Sequence, residues 1–320
     1  DAAMHERNPY ARPPDFAALC ASHAELRRYC TLVANGKVVV DFSDDAAVRA
    51  LTRALLKHDF GLDVELPQGS LCPRVPQRLN YLLWIEDILN ASSLSSDDVI
   101  GIDIGTGASC IYALLGARRF DWRFTASEAD VVSCEVAREN VERNGLQDRV
   151  TVVKADANGS IIEDLVTSSS TAFTFCMCNP PFFDGDGETG ERFEEEEREG
   201  EGGSLGRQWS NRRTTTKRGR PPHSGTVASD GELAVEGGEC AFVGRLVEES
   251  SRLKERVKLY TSMLGKKSSV SVLKTRLAKM AERERGISLY CRLRFTSGEL
   301  VQGRTQRWLL AWTYCEDVKL

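Results

Sequence analysis

Val99-Ile100-Gly101-Ile102-Asp103-Ile104, followed without a break by Gly105-Thr106-Gly107-Ala108-Ser109, is the stretch that decides the fold. Its first six residues are almost continuously apolar, the pattern of a strand buried on both faces of a parallel sheet. The glycines after it let the backbone turn sharply and approach a ligand, and a helix over 109–115 would present its N-terminal N–H groups there. Downstream, the apolar pattern predicts strands over 124–128, 150–154 and 173–178, with a helix over 131–144. Strands alternating with helices at this spacing imply an α/β fold with a Rossmann-like parallel sheet.

Outside that stretch the chain divides by composition. Residues 1–74 read as a small α/β extension: a helix opening at Phe16 behind a capping Asp15, a strand over 36–42, and a helix capped by Asp44 or Asp45. In that second helix Val48, Leu51 and Leu55 are three and four apart, and Gly61 suits its C-terminal stop. Residues 75–320 carry the sheet domain, whose first helix is expected over 79–89. An insertion, 184–236, is rich in Gly, Glu, Ser, Thr and Arg and almost free of apolar residues, so disorder is expected there. The periodic pattern resumes with a helix from 241 to about 259 and a strand over 260–264. A helix over 270–281 and late strands over 288–295 and 309–314 complete it, the last two forming an antiparallel edge.

Composition removes several classes of function. No run of about 18 apolar residues exists, which argues against a membrane span. The polar N-terminus lacks the apolar core of a secretory signal, so a nuclear or cytoplasmic, non-secreted protein is expected. Among ten cysteines, Cys110, Cys134, Cys176 and Cys178 sit in apolar segments, as small hydrophobes do; a reduced chain without disulfides is expected. Cys176-Met177-Cys178 lacks the second pair or histidine that would complete a tetrahedral site, so no metal is expected. The net charge of −5 is local in origin. Eight Glu against two Arg between Glu188 and Glu201 account for it, and without that stretch the chain carries +1. Global charge therefore does not argue against a nucleic-acid partner.

The turn after the first sheet strand has the form Asp103-x-Gly105-x-Gly107. Cys110 stands where a dinucleotide fingerprint needs its third glycine, so S-adenosylmethionine suits the turn better than NAD. Asp103 is expected to meet the cationic methionine end of that cofactor. Glu128, ending the second sheet strand, suits the ribose hydroxyls. Residues 156–160 are expected beside the adenine, and Arg78 can pair with the methionine carboxylate. The strand over 173–178 runs into Asn179-Pro180-Pro181-Phe182, which suggests the reaction. Two prolines stiffen the corner and donate no hydrogen bond. The Asn179 side chain and the Pro180 carbonyl then offer two acceptors to an –NH₂ group, raising lone-pair density toward a methyl donor. Phe182 can stack on a flipped-out or unpaired adenine. Lys266 and Lys267, and Arg304 and Arg307 beside Trp308, are candidate RNA-binding residues. The fold class is thus a Rossmann-like class I S-adenosylmethionine-dependent methyltransferase sheet with a small N-terminal α/β extension.

Arg78-Leu79-Asn80-Tyr81, the 101–112 stretch, Cys178-Asn179-Pro180-Pro181-Phe182-Phe183, Met263-Leu264-Gly265-Lys266-Lys267 and Gln302-Gly303-Arg304-Thr305 together resemble the methyltransferase-like protein 16 family. Pro13-Pro14-Asp15-Phe16 and Asp59-Phe60-Gly61-Leu62 add to the likeness. Members of that family methylate the N6 amine of adenine in RNA, and they are related to the bacterial ribosomal RNA adenine N6-methyltransferase. The resemblance implies U6 small nuclear RNA as substrate and, in animals, a stem-loop messenger RNA. It implies cofactor contacts at Arg78, Gly105, Ser109, Glu128 and Asn179, with Ser160 where the family carries Thr. It also implies RNA contacts from the N-terminal arm within 1–74, and from Arg304 and Arg307. The expected partner is structured RNA with an unpaired adenosine, bound by a monomer. The acidic run after Phe183 departs from the family pattern. The animal proteins also carry a C-terminal RNA-binding region beyond the point matching Leu320, so a weaker affinity or a different RNA is expected. The same chemistry on ribosomal RNA, DNA adenine or a protein glutamine stays open, as does a catalytically weak RNA-binding role.

Overall fold

The computed structural model describes residues 4–94, 98–180, 183–184, 234–235, 237–287, 292–302 and 305–320. At its centre is a seven-stranded sheet built from β3 (Ile100–Ile104), β4 (Arg123–Glu128), β5 (Val150–Lys154), β6 (Phe173–Cys178), β9 (Val257–Leu264), β10 (Arg294–Gln302) and β11 (Thr305–Thr313). Their spatial order is β10-β11-β9-β6-β3-β4-β5, and β7 (Phe183–Asp184) and β8 (Ala234–Val235) pair with each other apart from this sheet. The strands from β9 to β5 are parallel, and β11 and β10 close one edge antiparallel.

Helices cover both faces, and the period-2 alternation of the strands sorts side chains between them. Phe175 and Met177 join the core under α3 (Asp45–Phe60), α4 (Val75–Ala91), α5 (Ile111–Phe120) and α6 (Val131–Arg143). Cys176 and Cys178 join the opposite core, under α7 (Glu163–Ser168), α8 (Gly238–Leu253) and α9 (Lys267–Ile287). Gly101 interrupts the apolar run of β3 for a steric reason. A Cβ there would lie 2.5 Å from the Phe175 ring.

The leading segment contains α1 (Phe16–Ser22), α2 (Ala24–Arg27) and a hairpin of β1 (Cys30–Leu32) and β2 (Val38–Val40). Asp15 caps α1 by accepting from the N–H groups of Ala17 and Ala18, and Asp44 caps α3. Gly61, left-handed at φ 62°, ends α3. Tyr10, Leu26, Leu56 and Leu62 share one core with Tyr81, Leu114 and Val318, so the described part of the leading segment packs continuously onto the sheet domain. The arm before α1 is tied to α4 and α3: Asn8 donates to Asn80 Oδ1 (2.6 Å) and Pro76 O (2.9 Å) of α4, and Tyr10 donates to Asp59 (2.6 Å) of α3.

Four expectations need correction. The helix after the glycine turn begins at Ile111, not 109, because Cys110 adopts a left-handed conformation (φ 49°). The helix expected to reach 259 stops at Leu253; Lys254 at φ 45° breaks it, and β9 starts at Val257. The late strands are 294–302 and 305–313 rather than 288–295 and 309–314. As a sheet edge, β10 is only partly buried, so apolar content marks it poorly. Finally, Cys20 and Cys30 are joined as a disulfide, their Cα atoms 6.7 Å apart where α1 passes β1, although the chain reads as disulfide-free. Cys110, Cys134, Cys176 and Cys178 are free and buried, as expected. No helix among the described residues is long and apolar enough to cross a membrane.

Candidate active site

β3 and β6 are neighbours, and their last residues, Ile104 and Cys178, are paired. Gly105 and Asn179 are therefore the first residues beyond two adjacent strand ends, which lie about 5 Å apart. The chain leaves β3 toward β4 and β5, then returns to β6 on the other side of β3. A reversal of that kind opens a crevice at the carboxyl ends of the strands, where such folds bind ligands.

The crevice is a cleft of about 550 Å³. Of the eight residues expected to hold a cofactor, seven line it: Arg78, Gly105, Gly107, Ser109, Glu128, Ser160 and Asn179. Pro180 lines it as well. Gly105 and Gly107 have φ of 68° and 65°, and open space lies where a Gly105 side chain would sit. Glu128 braces this turn: its Oε2 accepts from Gly107 N–H (2.8 Å) and its Oε1 from Asp130 N–H (2.9 Å). Thr106 N–H also donates to Ser127 O (2.9 Å).

Asp103 stands elsewhere than expected. It does not line the cleft; it is buried beneath the turn, where its Oδ2 accepts from Thr106 Oγ1 (2.6 Å). Burial pushes its carboxyl up to about 7, against the Thr106 hydrogen bond. Its side chain thus supports the glycine turn from behind instead of reaching the ligand's amine. Arg78 is buried at the cleft wall, donating to Tyr112 Oη at 2.8 Å. The Asn179 Oδ1 atom is enclosed and has no hydrogen-bond partner among the described residues. A buried acceptor without a partner is costly to the fold, and it suits a site built to receive a donor from a ligand.

The sequence reasoning missed the supports of this cleft. Helix α8 grips the loop between β5 and α7 from three successive turns. Arg245 donates to Gly159 O (2.8 Å), and Arg252 pairs with Glu163 (2.5 Å). Between them, buried Glu249 accepts from the N–H groups of Ile161 (2.8 Å), Ile162 (2.8 Å) and Glu163 (3.0 Å). Ser160, which accepts from Asp164 N–H (2.8 Å), sits in that gripped loop. On the opposite wall Asn140 donates to Ala108 O, in the glycine turn, and to Glu65 O (both 3.0 Å). The spacing of 245, 249 and 252 on one helical face is visible in the sequence, but the loop they meet lies some 85 residues away.

At the carboxyl end of β9, two strands from β3 along the same sheet edge, Lys266 and Lys267 are exposed at the β9–α9 connection. Buried Glu239 fixes that connection by accepting from Gly265 N–H (2.6 Å), Lys266 N–H (3.0 Å) and the Ser269 hydroxyl (2.5 Å). Arg307 is half-buried on β11 beside it. Pro181, Phe182, Arg304 and most of the 184–236 insertion lie outside the described residues.

The doubly wound sheet, its switch-point cleft, the open glycine turn and the carboxylate that ends β4 together are those of a class I S-adenosylmethionine-dependent methyltransferase. Comparison with known proteins narrows the class. A family described as RNA methyltransferase matches residues 1–316. A Caenorhabditis briggsae relative, U6 small nuclear RNA (adenine-(43)-N(6))-methyltransferase, is 48% identical over 99% of this chain and 63% of its own length. The catalytic domain of human METTL16, solved with the MAT2A 3′UTR hairpin 6, superposes with a TM-score of 0.78 at 38% identity, covering 99% of both chains. The N-terminal domain of human METTL16, solved with SAH, gives 0.74 at 37% identity over 98% of this chain and all of that one. The chain belongs to this RNA methyltransferase family, the one its motifs resemble. It spans 63% of the length of the C. briggsae relative.

Proposed function

We propose that this protein transfers a methyl group from S-adenosylmethionine to the N6 amine of an unpaired adenosine in structured RNA, with U6 small nuclear RNA as substrate. The observation that carries this reading is the enclosed Asn179 Oδ1 beside the glycine turn, which has no hydrogen-bond partner among the described residues. The names of the relatives support the RNA and the N6 position.

The cleft suits the cofactor on its own chemistry. Arg78 offers a guanidinium to a carboxylate, Glu128 offers acceptors to ribose hydroxyls, and the open backbone at Gly105 leaves room between them. When bound, S-adenosylmethionine supplies a methyl group made electrophilic by a sulfonium. Asn179 accepts one hydrogen of the adenine amine and the Pro180 carbonyl accepts the other. Both hydrogen bonds favour pyramidal nitrogen, with its lone pair directed at the incoming carbon. As the new N–C bond forms, the electron pair of the old S–C bond stays on sulfur. One amine hydrogen then leaves N6 as a proton to water. Alignment of the amine by these two acceptors supplies the rest of the rate.

In this reading Pro181 stiffens the corner and Phe182 stacks on the base, Asp103 and Gly107 shape the turn, and Ser109 and Ser160 flank the cofactor. Lys266, Lys267, Arg304 and Arg307 hold the RNA, aided by the 1–74 extension, while 75–320 forms the methyltransferase domain. The protein acts as a monomer in the nucleus or the cytoplasm, without a metal.

The test is Asn179→Ala, assayed with labelled methyl donor on U6 RNA and with the labelled adenosine mapped. Methyl transfer should fall about 100-fold or more, as for loss of a transition-state donor or acceptor, with RNA binding retained. Equal loss of binding and turnover, or labelling confined to ribosomal RNA, DNA or protein, would overturn the reading.

A further inference from the structure

Arg74 lies just before α4, exposed, and its Nη1 donates to Thr305 Oγ1 at 3.2 Å. Thr305 opens β11, and Arg307 follows two residues later on the same face of that strand, about 7 Å along. Arg78 is one helical turn beyond Arg74, and its guanidinium faces the cleft. Leu71 and Pro73, immediately before Arg74, also line the cleft, so Arg74 stands at its rim. β11 pairs with β9 through Trp308 and Leu264, which sets Arg307 beside the connection that carries exposed Lys266 and Lys267. Positive side chains thus converge on one side of the mouth from α4, β11 and the β9–α9 connection.

We propose that Arg74 and Arg307, with the Thr305 hydroxyl between them, form a binding site for a backbone phosphate of the RNA next to the adenosine being methylated. The proposal rests on the RNA reading given above and extends it to Arg74, a residue no motif singled out. A guanidinium offers a planar fork of donors that matches phosphate oxygens, and two forks flanking a hydroxyl can grip more than one oxygen. Charge balance points the same way. Glu239, whose charge acts on Arg307, already receives Gly265, Lys266 and Ser269, and Arg307 itself donates to Gln306 O at 2.9 Å. Burial, and then the neighbouring guanidiniums of Arg78 and Arg74, hold Arg307 below the usual arginine range. An anion between them relieves that repulsion. The cofactor carboxylate is the other anion within reach, and buried Arg78 faces it inside the cleft. Arg74 sits outside, where the sugar-phosphate chain must run once the base has entered.

The experiment pairs Arg74→Gln with single methylphosphonate substitutions in a U6-derived hairpin, each removing the charge of one phosphate flanking the target adenosine. RNA affinity is read by fluorescence anisotropy across a salt series, and cofactor affinity by calorimetry. Arg74→Gln should weaken RNA binding about 10-fold and reduce the salt slope by roughly one ion, while cofactor affinity stays unchanged. One methylphosphonate should weaken wild-type binding by a similar factor and add nothing further in the variant. An unchanged affinity and slope, factors that multiply at every phosphate, or a fall in cofactor affinity would each overturn the proposal. If the wild type methylates the hairpin while these couplings are absent, the phosphate site alone fails. If the wild type neither binds nor methylates it, the RNA reading fails first.

Discussion

Asn140 and Asn144 allow two nearly identical side chains to be compared in different surroundings. They lie one turn apart on α6 and its end, and each pairs with the backbone of one residue in the irregular segment after α3, as a neighbouring strand would. Asn140 accepts from Glu65 N–H (2.7 Å) and donates to Glu65 O (3.0 Å). Asn144 accepts from Asp63 N–H (2.7 Å) and donates to Asp63 O (2.8 Å). Asn140 is fully buried and holds Ala108 O as well; the Asp63 bonds are exposed. Asn140→Ala strands three backbone groups, one deeply buried and two half-buried. At ~1–3 kcal/mol for each buried group left unmatched, discounted for partial solvation, the loss should be about 3–4 kcal/mol. Water replaces the partner in Asn144→Ala, so about 1 kcal/mol is expected there. Urea unfolding followed by tryptophan fluorescence measures both. The reasoning also predicts weaker cofactor binding for Asn140→Ala alone, because Ala108 belongs to the glycine turn. Equal losses in the two variants, or less than about 1 kcal/mol for Asn140→Ala, would refute it. Such a result would mean that buried Leu62, Val64 and Leu66 hold the segment by packing alone.

Asp103 should give stability a pH dependence. Its folded pKa is raised from 3.8 to about 7, so the protonated acid is the form the fold prefers. Its contribution is fully present below about 3.8 and is lost as pH rises through about 7. Asp103→Asn, which keeps the uncharged shape, should therefore gain on the wild type in urea midpoint between pH 5 and 8; a flat difference would contradict the assignment. Glu249→Gln should raise the KM for S-adenosylmethionine about 10-fold with a smaller change in kcat, because one amide oxygen cannot replace a carboxylate that receives three N–H groups. A fall in kcat at constant KM would show that Glu249 does not act through the cofactor loop.

The parts of the site legible in the sequence are those that short spacing controls. The apolar strand 100–104, the glycines at 105 and 107, Glu128 at a strand end and Asn179-Pro180 after another follow from local pattern, and all lie where such patterns place them. Asp103 shows the limit of this logic. Its place in the motif was plain, yet whether its side chain faced ligand or core depended on the pleat of β3 and on Thr106 turning back to meet it. The disulfide between Cys20 and Cys30 depended in the same way on how closely α1 passes β1.

By itself the amino-acid order determined the strand-and-helix rhythm, the bends where only glycine or proline is comfortable, and the chemical character of the residues at those bends. Backbone sterics and side-chain periodicity act over a few residues, so a linear text carries them. The tertiary structure alone decided that Glu249 reaches back 88 residues to hold Ile161, that Asn140 joins Glu65 to Ala108, and that Arg74 meets Thr305 across 231 residues. These contacts are made by side chains from different elements brought together by burial of the two cores, and no spacing rule along the chain encodes such a meeting.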